Sequence, residues 1–190
     1  IAPRSVAAGH AALVGVLAGI GLGPALLRPS LWVSELQGER WVAVGEDGFV
    51  RDFPEHADLI APLTLLKVRG KELLERSGRT GVVLEPHEDP AELSAVLEYL
   101  SLVAVRFPKF GDGRGYSIAR LLRQRYGYAG ELRAVGDVLR DQLLFMKRTG
   151  FDWLSLRDDQ DPDEALAAFR ELSQEYQASS TQPQPLFRRR

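Results

Sequence analysis

Short apolar runs alternate with longer amphipathic stretches through most of this chain, and that alternation constrains the fold more than any other feature. Residues 59–63, 81–85, 102–106, 132–135 and 151–156 are brief apolar runs, several rich in valine, as expected of buried parallel strands. Between and after them the apolar positions recur at helical spacing. The pattern predicts helices over 65–76 (Leu66, Leu73 and Leu74 inward) and over 90–100, where Asp89 is placed to cap and Pro90 to begin the helix. It predicts three more over 117–127 (Ile118, Leu121, Leu122), 138–148 (Val138, Gln142 and either Phe145 or Met146) and 162–176 (Leu166, Phe169, Leu172, Tyr176). Five βα units in series imply an α/β fold with a parallel sheet covered by helices. The spacing accommodates an open sheet or a partial-barrel-like arc. A short β-hairpin is expected before the units, with strands over 40–44 and 48–51 joined by Gly45, Glu46 and Asp47. Trp32, Trp41 and Phe49 would cover one edge of the sheet.

At 190 residues, one domain is expected, over 31–177. The preceding segment, 1–30, is apolar and rich in glycine and alanine, with Gly15, Gly19 and Gly23 four residues apart. It is expected to be a non-native leader, with a signal or membrane-anchor segment, or a true helix of the domain, as the alternative readings of 6–27. Residues 178–190 are polar, end in three arginines and read as a disordered tail. The composition is ordinary for a soluble globular protein, and a cytoplasmic location is expected.

The sequence contains no cysteine, which excludes disulfides, thiolate nucleophiles and cysteine-ligated Fe–S clusters within this chain. His10, His56 and His87 are scattered without ligand spacing, so no zinc site is expected. A redox role would need a bound flavin or nicotinamide, and neither is excluded. The net charge of −2 argues against general nucleic-acid binding. Charge is nonetheless uneven: residues 101–150 carry ten Lys/Arg against four Asp/Glu. That local excess favours a small anion or an acidic protein partner, unless Arg123, Arg125 and Lys147 merely solvate helix faces.

The basic segment contains a glycine-rich stretch between a predicted strand and a predicted helix, with Gly111, Gly113 and Gly115 at every second position. The spacing matches no nucleotide-binding fingerprint. Glycine permits close backbone approach to a ligand, and a helix N-terminus supplies unpaired N–H groups. Lys109, Gly111, Gly113, Arg114, Gly115, Ser117 and Arg140 are therefore candidate anion-binding residues, and Asp112, Asp137 and Tyr116 candidate catalytic groups. The plainer alternatives are a tight turn for the loop, an N-cap for Asp137 and core packing for Tyr116. Parallel α/β sheets bind ligands beyond the carboxyl ends of their strands. There this chain places Glu85–Pro86, Arg106 to Lys109, Gly136–Asp137 and Arg157–Asp158. Glu131 and Arg133 share one strand face and, with Asp112 and Arg114, suggest a buried ionic network.

The string FPKFGDGRGYSIARLLRQRYGYAGELRAVGDVLRDQ, within 102–142, resembles the central signature of a bacterial family. That family is a domain of unknown function labelled as an oxidoreductase of sulfite reduction. Its genes stand beside those of assimilatory sulfite reductase and adenylylsulfate reductase. The resemblance is strong over 79–156 and weaker over 41–77. It implies a role in sulfur assimilation, with sulfite reductase or its electron donor as partner, and supplies no reaction. The family often has a cysteine just before the Gly-Phe-Asp of residues 150–152; Thr149 stands there in this chain. Three functions follow: an accessory or electron-transfer protein of sulfite reduction, a cofactor-independent enzyme acting on a small anion at the glycine loop, or a non-catalytic interaction protein.

Overall fold

The computed structural model describes residues 31–36, 39–44, 56–157, 159–172 and 174–189, the first two segments as backbone only. The leader over 1–30, the strand expected over 48–51 and Asp158 lie outside the described residues.

Seven strands form one sheet in strictly sequential order: β1 (Leu31–Leu36), β2 (Glu39–Val44), β3 (Asp58–Pro62), β4 (Thr80–Leu84), β5 (Leu102–Phe107), β6 (Glu131–Gly136) and β7 (Trp153–Leu154). β1 pairs antiparallel with β2, and every later neighbour pair is parallel. The first and last strands do not pair, so the sheet is open. A hairpin does precede the βα units, but Glu39–Val44 pairs backward with Leu31–Leu36.

Helices α1 (Leu63–Leu74), α2 (Arg114–Gln124), α3 (Leu143–Thr149) and α4 (Pro162–Ala167) lie on one face of the sheet. Leu66 and Leu73 of α1, Ile118 and Leu122 of α2, Met146 of α3 and Ala165 of α4 join one core with Leu59, Val82, Leu84, Val103, Val105, Phe107, Leu132 and Ala134. Sequential strand order with crossovers of a single hand puts these four helices on the same side. The alternate strand residues point the other way. They build a smaller buried cluster of Ile60, Leu102, Ala104 and Val135, with Val83 and Trp153 against it.

Several expected elements are shorter or different in kind. The segment 90–100 forms two 3₁₀ turns, Pro90–Leu93 and Leu97–Tyr99, separated at Val96 (φ −123°, ψ −1°). Asp89 does cap the first turn, accepting the Ala91 N–H at 2.9 Å. The helix expected over 138–148 opens as a 3₁₀ turn at Arg140–Gln142 before α3. Met146 turns inward and Phe145 outward. α4 is only six residues long, and its buried side is Ala165, continued by Ala168, so the expected stripe fails at Leu172 and Tyr176, both exposed. Residues 178–189 make contacts with the residues before them. Ser180 N–H donates to Arg148 O at 2.9 Å and Leu186 N–H to Tyr176 O at 3.0 Å, and the Tyr176 and Phe187 rings lie 6.3 Å apart.

Candidate functional site

The glycine loop is a compact turn rather than a cradle. It follows β5, whose last residue, Phe107, is fully buried, and its Asp112 N–H closes back on Lys109 O at 3.0 Å. α2 begins at Arg114, three residues before the spacing predicts, so Arg114, Gly115 and Tyr116 form its first turn. Gly115 is required by packing: a Cβ there would lie 2.6 Å from the Phe107 ring. Gly113 has an ordinary φ of −82°, and a Cβ at Gly111 would meet nothing within 4 Å. Among the described glycines, positive φ occurs at Gly127, Gly136 and Gly150, none of them in this loop. The alternating N–H nest that binds phosphates is therefore not formed by these three glycines.

Asp112 occupies the place expected for an anion. Its Oδ1 accepts the Arg114 N–H at 3.2 Å and Nε–H at 3.0 Å, while Oδ2 accepts Nη2–H at 2.7 Å. Hydrogen bonding from Arg114, helped by the charge of Lys109, holds the Asp112 carboxyl down at about 2. The chain's own carboxylate thus satisfies the first helical N–H and the nearest guanidinium. Lys109 and Ser117 are exposed beside this pair. Arg140 lies elsewhere: it donates to Glu164 O at 3.0 Å and pairs with Glu171, rather than with Asp137 or Glu131.

Asp137 is not an N-cap. Gly136 turns the chain at the end of β6 with φ 103°, and the Asp137 N–H donates to Phe107 O at 2.7 Å. The Asp137 carboxylate then joins three strand ends: Oδ2 accepts the Phe110 N–H at 2.8 Å and Oδ1 accepts from Arg157 Nη1 at 2.7 Å. Arg157 also binds Asp159 through Nε and Nη2, and these two carboxylates raise its basicity. From the other side Gln142 Nε2 donates to Phe110 O at 3.2 Å, while Gln142 Oε1 accepts the Leu139 N–H at 3.0 Å. The Phe110 main chain is gripped at both its N–H and its C=O, and its side chain is left 49% exposed.

An aromatic chain runs from the core to that surface. Phe107 packs against Phe151 at 5.8 Å and Tyr116 at 5.1 Å, and Tyr116 meets Phe145 at 4.9 Å. Phe145 is 51% exposed. Burial and the charge of Asp141 push the Tyr116 hydroxyl up, opposed by its hydrogen bond with Gln142. Gln142 thus links the Phe110 carbonyl to the Leu139 N–H.

The expected ionic network is divided. Asp112 and Arg114 sit beyond the carboxyl end of β5, whereas Glu131 and Arg133 lie in the first half of β6, on the face opposite helices α1 to α4. Arg133 is 1% exposed, pairs with Glu131 and stacks 5.5 Å from the Trp153 ring. Glu85 and Arg106 pair at 3.1 Å at the carboxyl rim of that face. Of the charged rim seen in the sequence, Glu85 pairs with Arg106 and Asp137 with Arg157.

Sequence reasoning missed Arg123, which does not solvate a helix face. It donates to Gly150 O at 2.9 Å, Tyr128 O at 2.6 Å and Gly130 O at 2.8 Å, and it pairs with Asp152. Asp152 in turn accepts the Leu132 N–H at 2.9 Å. Arg123 thus ties the end of α2 to β6 and β7. Gly150 ends α3 with φ 110°, and a Cβ there would lie 2.6 Å from the Arg123 side chain. The Gly-Phe-Asp that follows Thr149 is, in this chain, part of that strap.

Among the described residues no group of His, Asp and Glu is placed to hold a metal ion, and no helix is long and apolar enough to cross a membrane. A comparison with curated proteins finds no match. Residues 81–187 match the model of a family described as "Bacterial protein of unknown function (DUF934)". The match covers the glycine loop, the aromatic chain and the Arg123 strap, and takes in more than half of the chain, which therefore belongs to this bacterial family.

Proposed function

We propose that the chain is an accessory protein of assimilatory sulfite reduction that works by docking on sulfite reductase or on its electron donor. The sulfite-reduction part of this reading rests on the resemblance of the signature within 102–142. The docking part rests on geometry. The observation that carries it is the double grip of Asp137 and Gln142 on the Phe110 main chain, which leaves the ring half-exposed, as is Phe145, the ring packed on Tyr116. Exposed aromatic rings on a rigid support are the usual anchors of protein interfaces, because little entropy is lost when they are covered. Asp112, Arg114, Asp137 and Arg140 are each engaged by other groups of the chain, which favours docking over small-anion chemistry at the loop.

The test is direct binding of the purified chain to purified sulfite reductase, and separately to its electron donor, by biolayer interferometry. Saturable binding to either is expected, with reductase turnover changed when the chain is added. Absence of binding to both proteins at concentrations up to about 100 μM would contradict the reading.

A further inference from the structure

Within 101–150 the arginines divide into two groups. Arg106, Arg114, Arg123, Arg133, Arg140 and Arg148 each pair with an acid, respectively Glu85, Asp112, Asp152, Glu131, Glu171 and Glu175. Four of those acids come from the acidic segments on either side. Arg120 and Arg125 pair with no acid among the described residues, and both belong to one strip that runs along α2 to the residue capping its C-terminus. Ser117, Arg120, Leu121, Gln124 and Arg125 follow one another at helical spacing and line an open depression of about 590 Å³.

Both guanidinium groups are held in place. Arg120 Nε donates to Gln124 Oε1 at 2.9 Å, an i,i+4 bond that orients the fork and leaves its two amino groups without a partner among the described residues. Gln124 is itself held by Ser180 Oγ at 3.4 Å, from the C-terminal segment. The Arg125 guanidinium stacks 5.9 Å from the Tyr126 ring, so its in-plane N–H donors remain available. Two oriented, unneutralised forks on either side of Leu121 match carboxylates presented by a chain that also covers a small apolar floor. The chain as a whole is negative, which disfavours a long polyanion such as nucleic acid but not a local acidic segment.

We propose that this strip of α2 is a docking site for an acidic segment of a protein partner, whose carboxylates pair with Arg120 and Arg125. The inference rests on the docking reading above and adds the chemistry of the partner.

The test uses a fluorescein-labelled glutamate-rich peptide of about ten residues, so that it does not depend on sulfite reductase. Fluorescence anisotropy of the full chain should give saturable binding that weakens steeply between about 50 and 500 mM salt. The double variant R120E/R125E should bind at least about tenfold more weakly with unchanged thermal stability, and K67E/K71E on α1 should bind like the parent. Equal binding by R120E/R125E, equal loss in K67E/K71E, no binding by the parent, or tighter binding of a single-stranded oligonucleotide of the same length would each overturn the proposal. If sulfite reductase binds the parent and R120E/R125E alike, this site falls while the docking reading stands. If the peptide binds as expected and neither sulfite reductase nor its donor does, the site stands and its assignment to sulfite reduction falls.

Discussion

Asp137 and Phe110 are 27 residues apart in sequence and joined by one hydrogen bond, the carboxylate Oδ2 accepting the ring residue's N–H at 2.8 Å. The same carboxylate takes Arg157 Nη1, so the loops after β5, β6 and β7 meet at a single side chain. Replacing Asp137 by Ala leaves that N–H without its acceptor and should cost about 1–3 kcal/mol in urea denaturation. Hydrogen exchange of the Phe110 amide should accelerate more than that of core amides such as Val103. Equal acceleration throughout would mean that Asp137 acts on global stability alone.

The glycines near the loop should separate sharply on substitution. Gly136→Ala forces a Cβ to 2.4 Å from Phe107 O at φ 103°, and should destabilise by about 2–4 kcal/mol. Gly111→Ala meets open space and should stay within about 0.5 kcal/mol of the parent. Chemical denaturation of the two variants checks both values. A stable Gly136→Ala protein would refute the turn described here.

Arg123→Lys should be nearly as damaging as Arg123→Ala. A single ammonium cannot reach Gly150 O, Tyr128 O, Gly130 O and Asp152 together as the planar fork does. A loss of about 2–4 kcal/mol is expected for both, since several buried carbonyls lose their donor. Full retention of stability by the lysine variant would show that charge alone suffices.

The Asp112–Arg114 pair gives a pH signature. The Asp112 carboxyl is depressed to about 2, so the pair is intact at neutral pH, persists below the ordinary carboxylate range and is lost as pH falls through about 2. Carbon-detected NMR titration of the side-chain carboxyl should give a midpoint near 2. A midpoint at the ordinary value of about 4 would mean that the pair does not form in solution.

Much of the fold was legible because the strand signal is local. The runs at 81–85, 102–106 and 132–135 need no tertiary context to read as buried strands, and each lies within a residue of where it was expected. The helices were less legible. Between β4 and β5, Leu93, Leu97 and Leu100 are all buried by 3₁₀ turns, a spacing that an α-helix would also satisfy. The one-sided placement of the helices follows from strand order, which no single segment encodes. At the site, the residue types were visible and their partners were not. Gly115 reads as a ligand-approach glycine until the Phe107 ring is found beneath it, and Arg123 reads as solvated until the chain returns at Gly150 and Asp152. Asp112 could be suspected, because an acid two residues before an arginine at a helix start can close on it.

The central claim is that the clamped Phe110 and the half-exposed Phe145 are the anchors by which this protein docks. The most direct measurement is the affinity of the Phe110→Ser, Phe145→Ser double variant for sulfite reductase or its donor, whichever binds the parent chain, alongside its melting temperature. Both rings are half-exposed, so stability should change by less than about 1 kcal/mol, while binding should weaken by at least about thirtyfold. Unchanged affinity in a folded double variant would contradict the account.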